Sequence, residues 1–121
     1  LRLGAEQIIQ IQVVEFIRQT TDIPVIHIAN ERRTTPQHGA ILKRMGVLAG
    51  VSDLFFPRSN GRYPGMFMEL KAPNGKLSIA QAQFLLDRTN DGYYCIVCYN
   101  AEDAIKTIQD FYNLAPLKLV E

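Results

Sequence analysis

No stretch of the 121-residue chain holds the roughly 18 consecutive apolar residues that a membrane-spanning helix needs, and no charged-then-apolar leader stands at its start. Internal repeats and low-complexity segments are also missing. Net charge is nearly absent at +1, yet 21% of residues are charged and 47% are hydrophobic, the balance of a folded globular protein rather than a disordered one. The length suits one core and not two, so residues 1–121 are expected to form a single domain. Cysteine is limited to Cys95 and Cys98. They make a CxxC by letter count only, because "YYCIVCY" is an apolar, strand-like run in which residues three apart face opposite ways. With no further Cys or His nearby, a zinc site is not expected. Two buried free thiols in a reducing compartment are expected.

The small net charge conceals an asymmetry. Between Glu31 and Lys76 eight basic residues face three acids, a surplus of five that the remainder of the chain offsets. A positive middle segment suits a polyanion such as nucleic acid.

Periodicity gives the order α-β-α-β-β-α-β-α, an α/β sandwich around a mixed sheet. Gly4 to Thr20 reads as a helix with Ile9, Val13, Phe16 and Ile17 inward, broken before Pro24. "PVIHIAN" reads as a strand and "NERRTTPQHG" as a polar loop, in which Thr35 and Pro36 open a second helix that stops at Gly46. "SDLFFP" and "GMFMELKA" read as two strands of an antiparallel hairpin, joined through "RSNGRYPG". Ser78 caps a third helix, with Ile79, Ala82, Leu85 and Leu86 expected toward the core. "YYCIVCYN" reads as a strand covered on both faces. "AEDAIKTIQDFY" forms the last helix, with Ala104, Ile105 and Ile108 inward. The tail "NLAPLKLVE" carries no pattern that places it.

Charges inside this hairpin need a reason. Side-chain alternation puts Met66, Met68 and Leu70 on one face of their strand, and Phe67, Glu69 and Lys71 on the other. If the hairpin pairs as expected, Asp53 lies opposite the Glu69–Lys71 end, so two carboxylates and one ammonium converge. Mg²⁺ takes one or two carboxylates and keeps several waters. Lys71 beside such an ion could orient water or stabilise a phosphorane-like transition state, and the Leu70 carbonyl is a convenient further ligand. Taken alone, a Glu-x-Lys reads first as an exposed salt bridge of little worth; the Gly-Val-Ser-Asp before it, the hairpin-length gap and the "GKLS" helix start with Gln81 behind are what favour a site.

The stretches "GVSDLFF", "GMFMELKAPNGKLSIAQAQFL" and "GYYCIVCYNAEDAI" resemble the VRR-NUC family, a branch of the PD-(D/E)XK nucleases, from about Gly46 to Ile108. The family pattern runs Gly-x-Pro-Asp, Glu-x-Lys, Leu-Ser with a Gln three residues on, then a Gly-Tyr strand and an "EDA" helix. Ser52 stands here where many members have Pro. The resemblance implies a restriction-endonuclease-like core and Mg²⁺- or Mn²⁺-dependent DNA cleavage, with Asp53 and Glu69 as metal ligands, Leu70 as a backbone ligand and Lys71 as the catalytic lysine. Gln81 matches the family's Gln and would touch water or phosphate, although Ser78-x-x-Gln81 is also a capping box. Glu15 lies on the first helix, where related nucleases often add an acid to the metal cluster. A solvated helical glutamate is the ordinary alternative.

Glu31 is a further acid that could face the metal. His27 reads as a packed core histidine, and His38, in the second helix, as a phosphate contact. Arg32, Arg33, Lys43, Arg44, Arg58, Arg62 and Lys76 are expected to contact the DNA backbone, with no base-reading element in view. Standalone phage and bacterial VRR-NUC domains are similar to Holliday-junction resolvases, which implies a homodimer acting on branched DNA. The expected setting is the cytoplasm of a bacterium or of a phage-infected host cell. A general or flap-directed nuclease, or an inactive nucleic-acid-binding module, are the alternatives. An inactive module is expected to have lost one of Asp53, Glu69 or Lys71, and all three are present.

Overall fold

The computed structural model describes residues 2–29 and 35–115. Arg32, Arg33, Glu31 and most of the C-terminal tail lie outside the described residues. The elements are α1 (Ala5–Thr20), β1 (Ile26–His27), α2 (Pro36–Arg44), β2 (Leu54–Phe56), β3 (Met66–Leu70), α3 (Ile79–Asn90), β4 (Tyr94–Cys98) and α4 (Ala101–Phe111), in the order the sequence predicts. The sheet runs β1-β2-β3-β4. β1–β2 and β2–β3 are antiparallel, while β3–β4 is parallel through the α3 crossover.

Alternation along β2 and β3 divides the core in two. Leu54, Phe56, Met66, Met68 and Leu70 pack with Val13 and Ile17 of α1 and with Ala104, Ile105 and Ile108 of α4. On the opposite face, Phe67 joins Phe84 and Leu85 of α3, with Phe55 and Tyr93 against them; the Phe55 and Phe67 rings stack at 4.4 Å. The single-residue alternation is thus what lets one short strand serve two cores. Cys95 and Cys98 fall in opposite cores as unpaired thiols, and burial pushes both pKa values up, the reverse of a reactive cysteine.

Two expectations change. β1 is only two residues long and exposed, so "PVIHIAN" is a brief edge strand rather than a full one. In α3 the inward face is Gln81, Phe84, Leu85 and Arg88, whereas Ile79 is 91% and Leu86 55% exposed. Apolar residues alone gave the wrong helical phase there, because a polar residue, Gln81, shares the inward face with Phe84 and Leu85. α2, opened by the Thr35 cap and Pro36 as expected, buries no residue.

Candidate active site

The β2–β3 register pairs Leu54 with Met68, so one step on Asp53 stands across from Glu69. Cross-strand neighbours of this kind hold their Cβ atoms about 4.5–5.5 Å apart. The loop carrying Asp53 is held against α3 by Gly50. Its backbone has φ +80°, and any Cβ there would collide with the backbone of Ala80 and come within 2.7 Å of Gln81 N. A glycine is therefore required both for the turn and for the close approach. Ser52 is fully buried. Asp53 Oδ2 accepts from Leu70 N at 2.8 Å, which ties the acid to the end of β3.

Glu69 is 2% and Lys71 8% exposed. Lys71 Nζ is 3.9 Å from Glu69 Oε2, and Gln81 Nε2 donates to the same oxygen at 3.2 Å. Glu69 Oε1 is buried and meets no hydrogen-bond donor among the described residues. Burial and then the neighbouring Asp53, within side-chain hydrogen-bonding range, push the Glu69 pKa up from 4.5 to about 8, against the weaker pull of Lys71. Two carboxyls so placed share a proton unless a cation lies between them. An orphaned carboxylate oxygen, a facing carboxylate and a 2% exposed setting are a donor set that fits a hard divalent cation. The described residues contain no cluster of three or more Asp, Glu, His or Cys side chains placed to hold an ion. The fit is that of Mg²⁺ or Mn²⁺ with two carboxylates and water, not of a closed cage.

Gln81 has the capping role the sequence offered, and a contact to Glu69 that the sequence did not foresee. Its Oε1 accepts from Ser78 N at 2.9 Å, while its backbone N–H donates to Ser78 Oγ at 3.1 Å, completing the capping box. Its amide Nε2 remains for Glu69.

Glu15 is not brought to this cluster. It borders a groove with Gln12, Tyr99 and Glu102 on the far part of α1. The acid that α1 does supply is Glu6: its Oε2 accepts from Ala72 N at 3.4 Å, and its charge also raises the Glu69 pKa. At 3.6 residues per turn Glu6 lies about 20° from the buried Val13, whereas Glu15 lies about 160° away, on the opposite side of the helix. A carboxylate in line with the apolar stripe was the available signal. His27 is also placed differently: it is exposed, its Nδ1 is 2.7 Å from the Asp53 carbonyl oxygen, and it lines a cleft of about 260 Å³ with Glu6, Gln7, Gln10 and Asp53.

Of the cations expected on DNA, Lys76 is exposed in the turn from β3 to α3. Lys43 and Arg44 occupy the last turn of α2, where they also suit the helix dipole. Arg58 and Arg62 belong to the opposite end of the hairpin. Arg58 binds Asp22 at 2.9 Å and Arg62 lies 5.6 Å from the Tyr63 ring centre. Partners within the chain occupy these two, which sequence spacing alone does not disclose. The backbone N–H of His38 donates to the Thr35 cap.

The sequence profile of the VRR-NUC domain matches residues 5–102. A solved structure of a VRR-NUC domain protein superposes with a TM-score of 0.73 at 26% identity, covering 94% of this chain and 93% of that one. Comparison with curated proteins gives no match. No helix among the described residues is long and apolar enough to cross a membrane.

Proposed function

The chain belongs to the VRR-NUC domain family, a nuclease family, and from that premise we propose that it is a Mg²⁺- or Mn²⁺-dependent DNA endonuclease acting on branched DNA as a homodimer. The observation that carries the proposal is the opposition of Asp53 and Glu69, with one buried Glu69 oxygen left without a donor and Lys71 alongside.

In this role Asp53 and Glu69 hold the ion, with the Leu70 carbonyl as a further ligand. When bound, the ion polarises a phosphoryl oxygen and lowers the pKa of a coordinated water. Leu70 N fixes the Asp53 carboxylate and Gln81 fixes that of Glu69, so neither has to reorganise as charge builds on the phosphate. Lys71, largely desolvated, offers its ammonium to that charge, where a low local dielectric strengthens the attraction. Lys76, Lys43 and Arg44 are suited to backbone phosphates, which gives binding by charge and shape rather than by sequence.

One site of this kind nicks one strand. Paired cuts across a junction therefore call for two copies related by symmetry. Cleavage of labelled four-way junction, flap, linear duplex and single strand, each with Mg²⁺, Mn²⁺ or EDTA, tests the proposal together with mass by light scattering. A metal-dependent preference for the junction by a dimer is expected. Equal cutting of all four DNAs would leave a general nuclease, and a monomer would remove the paired-site reading. Glu69→Gln and Lys71→Ala are each expected to lower cleavage about a thousandfold while DNA binding persists.

A further inference from the structure

We propose that His27 is a positioning residue for Asp53, holding the main chain of this acid through an imidazole N–H and so setting the affinity of the site for its divalent ion. The proposal rests on the metal-site reading above. A carbonyl oxygen only accepts, so the 2.7 Å contact between Nδ1 and the Asp53 oxygen requires the proton on Nδ1. The β1–β2 ladder consists of Ile26 with Phe55 and His27 with Leu54, and it ends there. One residue further on, the Asp53 carbonyl takes its donor from the His27 side chain. Asp53 is thereby gripped at two points, its carbonyl by His27 and its carboxylate Oδ2 by Leu70 N.

The grip matters because Asp53 precedes β2 rather than lying within it, so its backbone lacks the ladder that fixes Glu69. An ångström of misplacement in a catalytic group costs on the order of a hundredfold. Partners that orient metal ligands typically contribute about 10- to 100-fold in metal affinity or activity. Packing does not account for the residue, since His27 is exposed and borders the cleft shared with Glu6 and Asp53.

The test compares the full chain with His27→Ala and His27→Asn, using Mn²⁺ titration calorimetry, thermal unfolding and cleavage kinetics. Asn offers an amide N–H near the place of Nδ1 but has no imidazole. His27→Ala is expected to weaken Mn²⁺ binding about tenfold and to lower kcat with KM for DNA unchanged. His27→Asn is expected to recover most of both. Wild-type Mn²⁺ affinity in His27→Ala overturns the proposal. So does a folded His27→Asn that binds as weakly as His27→Ala, because the ring itself would then be what counts. If His27→Ala does not fold, His27→Asn decides alone: Mn²⁺ affinity within a few-fold of the parent supports the proposal, and a loss of about tenfold or more overturns it. A parent protein that binds no Mn²⁺, or whose binding is indifferent to Glu69→Gln, fails at the metal site itself, a result distinct from a working site that ignores His27; either removes the proposed role.

Discussion

Gln81 donates its amide N–H to Glu69 at 3.2 Å while its carbonyl oxygen accepts from the N–H of Ser78. One side chain thus closes the first turn of α3 and steadies a buried acid of β3. This joins secondary-structure capping to the electrostatics of the site, and the two can be separated by substitution. Gln81→Ala loses both contacts and is expected to cost about 1 kcal/mol of stability and about tenfold in cleavage. Gln81→Glu keeps the capping acceptor but replaces the donor with a second negative charge against Glu69. It should melt near the parent temperature yet cut less well than Gln81→Ala. Thermal unfolding alongside single-turnover cleavage reads the difference.

The raised Glu69 pKa sets a pH dependence of known sign. Between its ordinary value of 4.5 and about 8, the folded metal-free protein keeps a proton that the unfolded chain has released. Stability should therefore fall as pH rises through that window, by up to about 1.4 kcal/mol per unit. Binding of a divalent ion displaces the proton, so affinity should strengthen up to tenfold per unit and level off above pH 8. Glu69→Gln should flatten the stability profile. Denaturant unfolding at pH 5.5, 7 and 8.5, with and without Mg²⁺, checks each slope.

Glu6 and Glu15 share a helix but not a role. Glu6→Gln is expected to reduce metal-dependent cleavage about 10- to 100-fold, because Glu6 faces Ala72 and Glu69. Glu15→Gln should change it by no more than about twofold, as expected of a surface substitution. Parallel kinetics on the two variants suffice.

Gly50 seats the Asp53 loop on α3. Gly50→Ala is expected to destabilise the fold by about 2–4 kcal/mol, from left-handed backbone strain and a clash with the backbone of Ala80. An unchanged urea midpoint would show that the loop does not need this close approach.

Regular periodicity made most of the fold legible. Alternation in "GMFMELK" placed Glu69 and Lys71 together, and hairpin pairing placed Asp53 across from them. Side chains that leave the regular apolar pattern were harder to read. Gln81 took an inward position on α3, which turned the apolar residues Ile79 and Leu86 outward. Glu6 hid in line with the core stripe of α1, while Glu15, by residue type an equal candidate, faced away. His27 looked like a core residue, because sequence does not reveal that β1 ends after two residues at the sheet edge. Arg58 looked available for phosphate, because its partner Asp22 is 36 positions away along the chain.

Anomalous scattering from a Mn²⁺-soaked crystal tests the metal centre most directly. The predicted result is one peak or a close pair of peaks between the Asp53 and Glu69 carboxyls, absent from Glu69→Gln crystals. Full Mn²⁺ occupancy elsewhere on the protein, with those two carboxyls still sharing a proton, would contradict it.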